Sequence, residues 1–121
     1  MAIPKDDSAR LPGQIVEEMD LTELYSTYSK IRENQVSPMN MLKIMLYGYM
    51  NGLYSSRDIE TACRRDMNFM FLLEGASPPD HSTFARFRSL HFAPCAEKIL
   101  TEVTNFLYKI GEISGESIFI D

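Results

Sequence analysis

Several kinds of chemistry are missing from this sequence. No apolar run approaches the roughly 18 residues that a membrane span needs, so no membrane association is expected. The N-terminus, MAIPKDDSAR, has no apolar stretch behind its first charges and does not read as a signal peptide. There is no Gly-rich phosphate loop, no zinc pattern and no Gly-x-Ser-x-Gly elbow. The two histidines, His81 and His91, lack metal-ligand spacing, and capping or surface roles suit them better. The two cysteines, Cys63 and Cys95, lack CxxC spacing and read as reduced cytosolic thiols in or near a core. An independent enzyme is the least favoured class.

Excess positive charge is missing too. The net charge is −5, which argues against non-specific nucleic-acid binding by the whole chain. The distribution softens this. Residues 1–36 carry four basic and seven acidic side chains, and residues 99–121 carry one and four. The middle, residues 37–98, carries seven basic and six acidic. Five of those seven are arginines: Arg57, Arg64, Arg65, Arg86 and Arg88. Arginine's fork suits phosphate and guanine, and it equally suits surface ion pairs.

What is present is helical periodicity. Residues 1–19, with Pro4, Pro12 and Gly13, read as an extended arm that Ile15, Val16 and Met19 pin to the core. Asp20 with Glu23 resembles a capping box, and Leu21, Leu24, Tyr25 and Tyr28 follow at helical spacing. Ser37-Pro38 opens a second helix with a broad apolar face, and Gly48 inside it suggests a close helix crossing. Ser55 caps a third helix, with Ile59, Ala62 and Cys63 inward. Asp66 caps a short fourth, with Met67, Met70, Phe71 and Leu73 inward. Asp80 or Ser82 caps a fifth, whose stripe is Phe84, Phe87 and Leu90. A sixth runs from about Pro94 to Ile110 and stops at Gly111. Ser117–Asp121 changes to a short β-type run, which reads as the first strand of something further.

The expected fold is therefore all-α. It is a compact bundle of about five to six helices with a helix-turn-helix-like unit, an extended N-terminal arm and a short C-terminal strand. The arm takes residues 1–19, the helical domain 20–111, and a linker and strand 112–121.

One segment, residues 80–88, has the makings of a DNA reader. Hydroxyls and an imidazole sit at its start, and Arg86 and Arg88 lie off its apolar stripe. An amphipathic helix with a solvated charged face fits the same residues. Arg57 and Arg64, seven apart, share a helix face and suit either a DNA backbone or ion pairs with Asp58 and Glu60.

Four blocks, in order, resemble the N-terminal domain of insertion-sequence DDE transposases of the InsH-like kind. They are the stretch 41–60 with Tyr-Gly-Tyr and Ser-Ser-Arg, then Cys63-Arg-Arg-Asp-Met-Asn-Phe69, then Pro79-Asp-His-Ser-Thr-Phe-Ala-Arg-Phe-Arg88, and last Ile118-Phe-Ile-Asp121. The resemblance implies recognition of an element's terminal inverted repeats in double-stranded DNA. His81, Ser82, Thr83, Arg86 and Arg88 would form the reading helix, and Arg57, Arg64 and Arg65 would contact phosphates. Asp121 would be the first catalytic carboxylate and a ligand for Mg²⁺ in the full-length family enzyme. The sequence stops there, without the second aspartate or the glutamate, so strand cutting and a cofactor are not expected of this chain alone. The implied location is the cytoplasm, at the bacterial nucleoid. The alternative is an interaction domain that pairs transposase protomers as a homodimer, with structural arginines and no base readout.

Overall fold

The computed structural model describes residues 8–28 and 35–114. A 3₁₀ turn, Ser8–Arg10, leads into α1 (Leu11–Glu17). Then come α2 (Thr22–Ser26), α3 (Pro38–Met50), α4 (Ser56–Arg65) and α5 (Met67–Leu73). The short α6 (His81–Arg86) widens into a π-helical turn, Phe87–Phe92. A 3₁₀ turn, Ala93–Cys95, connects this to α7 (Ala96–Ser114). No strand occurs among the described residues, and the all-α bundle expected from periodicity is what forms.

The central element is α3, which packs on α1, α4 and α5. Ser37 accepts the Asn40 amide at 3.1 Å and Pro38 takes the first turn, where its missing N–H costs nothing. Met41, Leu42, Ile44, Met45, Leu46 and Tyr47 are all buried, as a helix covered on several sides requires. Gly48 is the crossing point with α4. A Cβ there would sit 3.1 Å from Ile59 Cδ1 and 3.3 Å from the Leu53 carbonyl oxygen.

Serine and aspartate caps set the other starts. Ser55 Oγ accepts the Asp58 amide at 3.1 Å, and Asp66 Oδ1 accepts the Asn68 amide at 2.8 Å. Helix α5 ends with Glu74 and Gly75 both left-handed, at φ 51° and 85°. Glycine takes that conformation freely; Glu74 does so while its carboxylate accepts the side-chain amide of buried Asn40 at 2.8 Å.

Five expectations need correction. The arm is not extended throughout: it is helical from Ser8 to Glu17, because Pro12 sits in the first turn and Ile15 and Val16 bury on the core. In α5 the inward face is Phe69, Leu72 and Leu73, whereas Met67 is 61% exposed. A seven-residue helix with almost no polar side chain leaves its facing to tertiary packing. Leu90 is exposed, because the π turn rotates the stripe so that Phe92 enters the core instead. Asp20 bonds the Thr22 amide at 3.0 Å but sits one residue before the cap position of α2, so no capping box forms. Helix α7 continues past Gly111 to Ser114, so the linker expected from residue 112 begins as helix. The expected strand at 117–121 and Asp121 lie outside the described residues, as do residues 1–7 of the arm.

The π turn also anchors α2. His91 stacks on Tyr28 with ring centroids 3.7 Å apart, and its Nδ1 lies 2.8 Å from Thr27 Oγ1. The Thr27 hydroxyl gives its proton to the Leu24 carbonyl, so His91 Nδ1 carries a hydrogen and donates. Burial lowers the His91 pKa, which keeps the ring neutral at pH 7. Cys63 and Cys95 are free and buried, as expected, and burial pushes the Cys63 thiol up to about 12.

Candidate nucleic-acid interface

The residues singled out for DNA contact, Arg88 in the π turn excepted, fall on two helices that pack together, α4 and α6. Helix α4 is polar around most of its circumference and buries only Ile59 and Cys63, so a wide face stays in water. Helix α6 buries Phe84 and exposes Ser82, Thr83, Ala85 and Arg86. The two run in opposite directions. His81, at the start of α6, meets Glu60, and Arg88, beyond its end, meets Ser56 at the start of α4.

Glu60 joins the helices. Its Oε2 accepts the His81 backbone N–H at 3.1 Å, which satisfies one of the free amides of the α6 start. The same carboxylate lies 3.6 Å from His81 Nδ1 and 3.6 Å from Arg64 Nη2. His81 and Arg64 are thus brought together through Glu60, which spacing along the chain shows only as an ordinary ion-pair partner. The Arg64 side chain remains 61% exposed, so the pair contributes little and leaves the guanidinium within reach of solvent.

Arg88 goes elsewhere. Its guanidinium donates to the Tyr54 carbonyl, to Ser56 Oγ at 2.9 Å and to Tyr49 Oη at 3.4 Å, and it lies over the Phe84 ring at 5.3 Å. It ties the end of α3, the α3–α4 turn and the start of α4 to α6. Arg86, two residues earlier, is exposed and has no acidic partner among the described residues; the same holds for Arg57 and Arg65. Spacing alone could not separate Arg86 from Arg88, because the π turn that swings Arg88 inward has no sequence signature.

The start of α6 carries its own anion. Asp80 Oδ1 accepts the Thr83 amide and the Ser82 hydroxyl, each at 2.8 Å. The Thr83 backbone hydrogen bond, then those of the Ser82 and Thr83 side chains, hold the Asp80 carboxyl down to about 2. A phosphate at this helix end would meet a carboxylate and amides already in use. The Ser82 proton is also committed, while the Thr83 side chain stays exposed. Phosphate contact therefore suits the exposed arginines better than the hydroxyls at the helix start.

The Asp80 cap makes a pH prediction. Its folded-state pKa lies below the unfolded value of 3.8, so its stabilisation is present above that value and is lost as pH falls towards 2. Asp80→Asn is expected to flatten the acid limb of the melting temperature between about pH 5 and 2. Identical acid limbs for parent and variant would show that the cap does not form.

The chain around residues 74–80 bears on the expected helix-turn-helix-like unit. A tight unit joins its helices by about three or four residues. Here the connection from α5 to α6 is longer, and α6 packs principally on α4. Among the described residues no group of His, Cys, Asp and Glu could hold a metal ion. A cleft of about 260 Å³ is lined by Arg10, Gln14, Lys43, Phe71 and Glu74 among others, with no residue of α4 or α6. No helix among the described residues is long and apolar enough to cross a membrane.

A family model described as a transposase domain (DUF772) matches residues 1–90. That stretch contains every residue of the α4–α6 surface and stops before α7. No curated protein and no solved structure matches the chain.

Proposed function

We propose, because the chain belongs to the transposase domain family (DUF772), that its α4–α6 surface binds the terminal inverted repeats of a DDE-type element. The observation that carries this reading is the cluster of exposed arginines on two adjoining helices: Arg57, Arg64 and Arg65 on α4 and Arg86 on α6. Arginine forks neutralise phosphates, and Thr83 and His81 stand near the same helix end for finer contacts. Arg88 supports the surface from behind. The net charge of −5 keeps the affinity dependent on these few cations, so it should fall steeply with salt.

Fluorescence anisotropy tests this, using duplexes copied from the DNA that flanks the gene and a scrambled control. The expected result is a preference for the flanking ends. Arg57→Ala, Arg65→Ala and Arg86→Ala should each weaken binding without changing the melting temperature. Each should also reduce the slope of log K against log salt by about 0.9 if one phosphate contact is lost. No preference, or no binding at low salt, would refute the DNA reading.

A second reading, pairing of protomers, is favoured by a different observation: the half-open apolar face of α7. Both can hold, since transposition brings two ends together.

A further inference from the structure

His81 Nδ1 is buried and has no hydrogen-bond partner, although Glu60 Oε1 lies 3.6 Å away. A bare lone pair on that nitrogen would face a carboxylate and meet no donor. A hydrogen on it turns the same geometry into attraction, so the ring holds Nδ1–H towards Glu60. The His81 side chain as a whole is 38% exposed. With Nδ1 buried, that exposure falls on the rest of the ring, which carries Nε2. Nε2 is the atom left to take up a second proton.

Until it does so, the surrounding charges oppose a phosphate. Glu60 and Arg64 face the ring from α4, and Asp80 precedes it in the chain. The π turn also packs on α6. Its Arg88, however, is held on Tyr54 and Ser56, and its His91 on Thr27 and Tyr28. Two carboxylates and one guanidinium leave this end of the surface with an excess of negative charge while the ring is neutral. A charged ring cancels that excess. It also gives Glu60 a cationic partner on Oε1, so that Arg64 can leave Oε2 for a phosphate.

We infer that DNA binding at the α4–α6 surface takes up one proton, at His81 Nε2, and that Glu60 is the positioning residue that releases Arg64 when it does. The inference rests on the DNA reading given above. Phosphate favours the charged ring, so by reciprocity the charged ring favours DNA. Affinity rises as pH falls through the range in which imidazole gains its charge, and declines as pH rises through it. His91, the second of the chain's two histidines, does not contribute, because burial keeps it neutral.

Fluorescence anisotropy with the duplex of flanking DNA, at about pH 5.5 and about pH 8 and one ionic strength, tests the coupling. The parent should bind about five- to tenfold more tightly at the lower pH. His81→Gln should bind equally at both. Glu60→Gln keeps an oxygen for the His81 backbone N–H and loses the charge. It should strengthen binding at the higher pH and shrink the pH step. In the unaltered chain, NMR of the His81 ring should show it taking up its proton at a higher pH with duplex bound than without. Binding with no pH step, a step that survives His81→Gln, or a ring that titrates alike with and without duplex overturns the inference and leaves the DNA reading standing. So does a Glu60→Gln variant that neither strengthens binding at the higher pH nor shrinks the step. No binding at either pH overturns both.

Discussion

Arg88→Ala is expected to destabilise the protein by about 2–3 kcal/mol, while Arg86→Ala changes stability by less than about 0.5 kcal/mol. The two arginines are two residues apart and chemically identical. Arg88 donates charge-assisted hydrogen bonds to the Tyr54 carbonyl and Ser56 Oγ and covers the Phe84 ring. Removing it strips a polar partner from the α3–α4 turn and contact from a fully buried aromatic. Arg86 touches nothing that the fold needs. Urea denaturation of the two variants checks this. Arg88→Lys should recover only part of the loss, because an ammonium cannot span three acceptors in one plane. Combined with Phe84→Leu, the Arg88 effect should shrink, since part of it acts through that ring. Equal melting curves for the Arg86 and Arg88 variants would overturn the assignment.

Gly48→Val is expected to cost about 3 kcal/mol or more, and Gly13→Ala to stabilise by up to about 1 kcal/mol. Both glycines lie inside helices, where alanine is preferred on backbone grounds. Their surroundings decide the sign. A Cβ at Gly13 would meet only the end of Lys43, at 4.0 Å. At Gly48 it would press on Ile59 and on the Leu53 carbonyl, whose own amide is bonded to the Gly48 carbonyl at 2.8 Å. The turn is therefore held against the helix and cannot retreat. Valine adds two methyl groups where even one is tight. Thermal melts of both variants check the contrast, and a stabilised Gly48→Val would mean that α3 and α4 cross further apart than described.

Much of this was legible because capping is local chemistry. Ser37, Ser55 and Asp66 read as helix starts and each accepts the amide its position requires; of the two candidates at the fifth helix, Asp80 and Ser82, it is Asp80 that does so. The close crossing at Gly48 was legible for a similar reason, since glycine in a helix needs a steric excuse. The misreadings share another cause. Helix α5 is apolar nearly all round, so periodicity could not choose its buried side. The π turn adds a residue to the helical repeat, which carried Leu90 out to water and Arg88 in to Ser56. Pro12 and Gly13 look like breakers and point to an extended arm, although proline in a first turn promotes a helix. Glu60 was visible as a charge but not as the joint between α4 and α6, because its partner lies 21 residues away.

The contact between His91 and Thr27 has a kinetic side. It closes a separation of 64 residues, and a loop that long is entropically slow to find, though adding still more residues would cost little further. During synthesis α1 to α5 would leave the ribosome before the segment that clasps α2 exists. The α4–α6 surface, likewise, cannot form until residues 81–88 have emerged. The expected behaviour is one cooperative unfolding transition in the finished chain and, in fragments ending near residue 80, a loosely packed bundle whose α2 exchanges its amide hydrogens freely.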